Sequence, residues 1–271
     1  MKSWKKQVKR EFSGMYSECG NLPVITVNPM FSVERHVLIL GSEFGDRGFC
    51  ADSILSFAKS FIGEYKPFYT KITLVPVLDT EGHPVKSTLI SSEGFESPSY
   101  LSKGNPSKEM PADVKDLLSI VRQEKYSLVL QATSVAHENW PYCNGYFVVP
   151  AVSVISSGDK SFLRINPETK DIAGTLLAAA KKHTSLQSLH TEGVVGNRYV
   201  MAREGILLPA FVSDGNVEIM TRNIVSLACL ENQVECITLV AASSLKADNS
   251  NSRKAHSAAL EAVIRMYEKN Q

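Results

Sequence analysis

Two short stretches of this chain bring together residues able to do chemistry. The first reads Gly41-Ser-Glu-Phe-Gly-Asp-Arg-Gly48 and holds Glu43 and Asp46 three positions apart. Two carboxylates at that spacing can converge on one cation that prefers oxygen ligands. The same pair would equally serve to complement the dipole at a helix N-terminus. The second reads Val135-Ala-His-Glu-Asn-Trp-Pro-Tyr-Cys-Asn-Gly-Tyr-Phe-Val148. Here His137 and Glu138 supply an imidazole and a carboxylate, and Trp140 and Tyr146 can wall a small-molecule site. His137 with Cys143 is also the minimum for a thiol nucleophile and its base, but no third group orients the base, and Cys143 reads as a small packing residue. His83 falls in a polar turn, where a lone imidazole is ordinarily solvated. The Gly41–Gly48 turn has neither the G-x-G-x-x-G order of a dinucleotide loop nor the G-K-[ST] of a phosphate loop.

The rest of the composition narrows the field. The chain has 271 residues with 29 Lys+Arg against 28 Asp+Glu, so bulk charge gives it no hold on nucleic acid or anionic membrane. No run of ~18 apolar residues is present, and no membrane span is expected. The basic start, MKSWKKQVKREF, lacks the apolar stretch of a secretory signal and reads as an amphipathic helix within an N-terminal extension over 1–20. Cys19, Cys50, Cys143, Cys229 and Cys236 are scattered, odd in number and without C-x-x-C, the usage of a reducing, cytoplasmic protein. With the six histidines His36, His83, His137, His183, His190 and His256, any metal site must be built from these or from carboxylates.

Elements that alternate in period must position those residues. His36–Gly41, Lys71–Asp79, Tyr126–Ser134 and Val234–Ala242 are short apolar runs, as in buried strands, and Gly145–Val154 reads as a further strand. Between them, Ile54, Leu55, Ala58, Phe61 and Ile62 fall at helical spacing, and Pro111 opens a helix aligning Val114, Leu117, Leu118 and Val121. Asp171–His183, Val217–Glu231 and Arg253–Lys269 also read as helices, and Met201–Val212 as a hairpin-like strand pair. Residues 90–112, rich in Ser, Gly, Pro and Lys, form a long loop within one domain. The expectation is a single α/β domain with a mostly parallel, mixed, twisted sheet and helices on both faces. In such sheets ligands bind beyond the carboxyl ends of the strands, here after Gly41, Asp79, Ser134 and Ala242.

In order and spacing these segments resemble the zinc carboxypeptidase family and, more distantly, its succinylglutamate desuccinylase and aspartoacylase relatives. HVLILGSEFGDRGF stands where that family has a glycine-rich turn with H-x-x-E, which supplies two zinc ligands. LVPVLDTEGH resembles the strand end P-x-x-N-P-D-G, and Gly94-Phe-Glu-Ser-Pro-Ser99 falls where D-L-N-R follows. VAHENWPYCNGYFVV resembles the segment of the third ligand, and CITLVAASS the strand of the catalytic Glu ahead of the last helix. The resemblance runs from about His36 to the end of the sequence.

It implies a divalent metal, zinc in that family, and a peptide or small amino-acid-like ligand. Two alignments of the first turn are open: Glu43 and Asp46 replace the His and Glu ligands, or Phe44 and Arg47 do, and only the first leaves a cation site. His137 fits the third ligand, with Thr133 as the alternative. Ser97, Pro98 and Ser99 stand where an Asn and Arg would clamp a carboxylate bidentately. Val240 stands where the catalytic Glu would be, which leaves Glu138 or Glu43 as a substitute base. Since a catalytic zinc needs three protein ligands, an open position and a base, the implied protein is a divergent, catalytically impaired or inactive member, and the alternative is an active metal-dependent hydrolase with a remodelled site.

Overall fold

The computed structural model describes residues 2–42, 49–77, 112–136, 145–157, 160–188, 200–208, 210–213, 216–219, 224–243 and 249–269. In chain order the elements are α1 (Lys2–Glu11), β1 (Tyr16–Cys19), β2 (Leu22–Val27), β3 (Arg35–Ser42), α2 (Phe49–Phe57, continued by a π-helical turn, Ala58–Ile62), β4 (Thr70–Val77), α3 (Ala112–Gln123) and β5 (Leu128–Ala136). They continue as β6 (Phe147–Pro150), β7 (Ser153–Ser157), β8 (Lys160–Arg164), α4 (Pro167–Ala180), β9 (Val200–Arg203), β10 (Ile206–Leu208), β11 (Ala210–Ser213), β12 (Asn216–Ile219), α5 (Ile224–Glu231), β13 (Glu235–Ser243) and α6 (Ser250–Lys269).

Among the described residues nine strands form one mixed sheet in the order β1-β2-β4-β3-β5-β13-β6-β10-β9. Its centre, β4-β3-β5-β13, is parallel, and the flanking β2 and β6 run antiparallel to it. The central strands read as continuous apolar runs because both faces are covered. Val37, Ile39, Leu128, Leu130, Ile237 and Leu239 face the layer of α1, α2, α4 and α6. Leu38, Leu40, Val129 and Cys236 face α3 and α5. The expected α/β class with helices on both faces is thus what the chain adopts.

Several element boundaries differ from the sequence expectations, each for a local reason. The apolar run from Gly145 is divided: β6 ends at Pro150, which has no N–H to continue a ladder, and β7 leaves to pair with β8 in a separate ribbon. The helix expected from Asp171 starts earlier, at Pro167, where Asn166 caps it by accepting the Glu168 N–H at 3.2 Å. Val217–Ile219, the start of the helix expected over Val217–Glu231, lies instead in Asn216–Ile219, which alternates polar and apolar residues and pairs with β11 as a strand; α5 begins only at Ile224. The N-terminal extension is helical only to Glu11, and β1 and β2 then build one edge of the sheet.

Two side chains lock the amino ends of the central strands. Glu268 of α6 accepts the backbone N–H groups of Phe68, Tyr69 and Thr70 at 2.6, 3.3 and 2.9 Å, tying the entry to β4 onto the last helix. His36 bridges three elements: its Nε2 lies 2.9 Å from Thr73 Oγ1 on β4, and its Nδ1 lies 3.0 Å from Glu124, at the end of α3. Burial lowers its pKa to about 4, helped by the Lys71 ammonium and opposed by Glu124.

The unfolded chain, with His36 at its ordinary 6.5, takes up the proton first, so this contribution to stability is whole above that pH and is lost as pH falls toward about 4. Thermal melts between those limits should show that loss, and His36→Gln should flatten it. At the other strand end, a Cβ on Gly41 would sit 2.0 Å from the Pro76 carbonyl oxygen, so β3 and β4 approach there as only glycine permits. Gly41→Ala should cost about 1–3 kcal/mol in denaturant unfolding, as overpacking of a tight contact does.

Candidate functional site

The strand order itself locates a crevice. From β3 the chain crosses through α2 to β4 on one side, and from β5 it passes to β6 on the other. Outgoing connections therefore diverge between β3 and β5, which is the topological switch point where open α/β sheets bind ligands. The registers show the two strands parting there. The last β3–β5 pair is Leu40↔Gln131, whereas β3 stays with β4 to Ser42↔Val77 and β5 stays with β13 to Ala136↔Ser243.

The two chemistry-bearing stretches follow these two strand ends in the sequence. Glu43 follows the end of β3 and His137 follows the end of β5. Glu43, Phe44, Asp46, Arg47, His137, Glu138, Trp140 and Cys143 all lie outside the described residues, as do His83 and Ser97–Ser99.

Tyr146 is described. It is fully buried, and its phenol lies 3.1 Å from Nδ1 of His256 on α6. Burial, and then the neighbouring Cys50 thiol at the start of α2, pushes the phenol well above its ordinary pKa, so it stays protonated. The other ring nitrogen of His256, Nε2, lies 3.0 Å from the Thr133 carbonyl oxygen. A carbonyl only accepts, so Nε2 carries the hydrogen, and in the neutral ring Nδ1 accepts from the Tyr146 hydroxyl. His256 did not stand out in the sequence beyond the histidine count. Its signal was positional: it shares the helical stripe of Leu260, Val263 and Tyr267, where a polar residue must find partners inside.

Thr133 and Val240 are also described. They pair across β5 and β13, and Val240 pairs in turn with Phe147 of β6, so the three form one row across the sheet. Val240 is fully buried. On the same side of the sheet as Val240, Gln131 and Thr238 form the preceding polar pair, both buried and facing the α3–α5 layer. The first turns of α6 fasten this end of the sheet: Ser252 Oγ donates to the Ala242 carbonyl at 2.8 Å, and Arg253 reaches Asp52 of α2 at 3.7 Å. Among the described residues no group of three or more His, Cys, Asp or Glu is placed to hold a metal, and no helix is long and apolar enough to cross a membrane.

This arrangement, a parallel centre with antiparallel flanks, is shared with several solved structures. A metallo-carboxypeptidase from Burkholderia cenocepacia superposes with a TM-score of 0.60 at 10% identity, over 99% of this chain and 68% of the other. A metallo-carboxypeptidase from Pseudomonas aeruginosa, solved in complex with (2-guanidinoethylmercapto)succinic acid, gives 0.56 at 8%, over 98% and 68%. Bovine thrombin-activatable fibrinolysis inhibitor, solved with tick carboxypeptidase inhibitor, gives 0.54 at 12%, over 99% and 96%. The chain therefore has a zinc carboxypeptidase-like fold. No protein-family profile and no curated protein matches it in sequence.

The Tyr146–His256 contact is open to a direct test. Tyr146→Phe removes the donor to a fully buried ring nitrogen and should destabilise the protein by about 1–3 kcal/mol in denaturant unfolding. An unchanged midpoint would show that the imidazole finds another partner.

Proposed function

We propose that this protein is a divergent, catalytically impaired member of the carboxypeptidase-like fold that binds a peptide or small amino-acid-like ligand in the crevice between β3 and β5. Val240 carries the reading. It occupies the place that the resemblance gives to the catalytic Glu, and it is aliphatic and buried in a row with Thr133 and Phe147. A hydrocarbon side chain cannot take a proton from water, and general-base transfer of that kind contributes a rate factor on the order of 10²–10⁴. The succinic acid derivative bound by the Pseudomonas neighbour supports a small carboxylate as the class of ligand. Trp140 would contact it, and Tyr146, from inside the core, would support the wall.

A second reading is favoured by the adjacency of β3 and β5, because Glu43 and Asp46 come after β3 in the sequence and His137 comes directly after β5. Those three would hold a divalent cation. The set is oxygen-rich, and so harder than the His-dominated sites usual for catalytic zinc. A bound cation there would supply Lewis-acid polarisation and lower the pKa of water. Glu138 would then serve as the proton acceptor, and the protein would be a metal-dependent peptidase or N-acyl amino acid amidohydrolase.

One experiment separates the two. Protein purified without a histidine tag is analysed for metal, assayed on C-terminal peptide and N-acyl amino acid substrates with and without a chelator, and titrated calorimetrically with short peptides. Binding without chelator-sensitive turnover is expected. Turnover abolished by chelator and by His137→Ala would overturn the impaired reading and establish the hydrolase.

A further inference from the structure

We propose that His256 is a positioning residue that sets the width of the crevice by clamping the stems on either side of residues 137–144. The proposal rests on the crevice assigned above and uses only described residues. One ring nitrogen holds the Thr133 carbonyl on β5, two positions past the last β3–β5 pair, and the other holds the Tyr146 hydroxyl just before β6.

Between these anchors lies β13. Thr133, Val240 and Phe147 are register partners across β5, β13 and β6, so the hydrogen-bonded chain Thr133–His256–Tyr146 spans β13 and joins β5 to the entry of β6, strands that do not pair with each other. The tie matters because β5 loses its neighbour β3 at this height. Among the described strands, β13 is the one that continues to pair with β5 beyond Leu40↔Gln131, and a backbone edge facing a crevice shifts more readily than one paired on both sides. His256 supplies a fixed point from a helix that is itself immobilised, packed by Ala255, Ala259, Leu260 and Val263 against the sheet.

On the far stem, Gly145 lies so close to Leu186 that an added Cβ would sit 2.5 Å from the Leu186 carbonyl carbon. The Tyr146 N–H donates to the Ser185 carbonyl at 2.8 Å, and the Gln187 N–H returns to the Tyr146 carbonyl at 3.0 Å. That stem is therefore rigid in its backbone as well as at its side chain. An imidazole suits the task because it donates and accepts at opposite edges of a flat ring, and each bond is buried.

The test compares His256→Gln, which keeps a donor and an acceptor, with His256→Leu, which keeps volume alone. Hydrogen exchange is read at amides 134–136 and 145–147, with 37–40 of β3 as the internal reference. His256→Leu should raise exchange at both stems by at least about tenfold and leave the reference unchanged, and His256→Gln should restore most of the protection. Zinc titration against a chromophoric chelator forms the second arm. If wild-type protein binds zinc, His256→Leu should weaken it about 10–100-fold, the loss typical when a residue orienting metal ligands is removed.

A wild-type protein that takes up no zinc would sink the metal reading above and leave the exchange result to decide the clamp. Stems unchanged in a folded His256→Leu protein, or exchange raised equally in β3, would overturn the proposal. Should His256→Leu fail to fold, Tyr146→Phe cuts one of the two ties. Exchange raised at 145–147 but not at 134–136 supports the clamp, and no change at either stem refutes it.

Discussion

Helix α6 is fastened to the sheet at both ends of the parallel strands, and the rest of the molecule is arranged around that double attachment. At the amino ends of the strands, Glu268 takes three successive backbone N–H groups ahead of β4. At the carboxyl ends, Ser252 and His256 take carbonyls from β13 and β5. Between these points the helix buries an apolar stripe against α2, α4 and the sheet. Burial alone would hold the helix down but would let it slide along its axis, because the hydrophobic effect has no direction. The polar contacts at the two ends remove that freedom, and the crevice at the β3–β5 switch point inherits a fixed wall.

That wall distinguishes what the fold supplies from what the chemistry requires. A zinc carboxypeptidase-like fold forms here with very little sequence in common with its structural neighbours, because the interior asks only for apolar volume in the right period. Catalysis asks for particular atoms at particular places. Val240 meets the first demand, filling a buried row with Thr133 and Phe147. A fold does not by itself specify an activity, because the two depend on different properties of the same side chains.

How far the sequence could be read follows from the same distinction. The strands β3, β5 and β13 were legible as continuous apolar runs because both of their faces are covered. The edge strands were not: β1 and β2 are short, joined at Gly20 in a left-handed conformation, and carry no strong period. The division after Pro150 was obscured by the apolar residues on both sides of it. The crevice is a property of strand order, which a linear pattern does not contain, although its neighbourhood was reachable through the rule that sites lie past strand ends. Glu43, Asp46, His137 and Glu138 were singled out by residue type and lie outside the described residues, while Tyr146 was placed as a wall of the site and sits in the core. His256 went unremarked because one polar residue in an otherwise apolar stripe looks incidental until its two partners are known.

The contacts of His256 also bear on the order in which the molecule comes together. The imidazole meets partners 110 and 123 residues earlier in the chain. Bringing such distant positions into contact costs loop-closure entropy before any bond rewards it, and contacts of this separation slow folding. Strands β3, β4 and β5 all precede α6 in the chain and pair with one another directly. The crevice would then exist first as a loosely spaced gap and acquire its final width only when the last helix docks. During synthesis that step must wait until α6 has left the ribosome, so a nascent chain would carry the sheet before it carries a finished site.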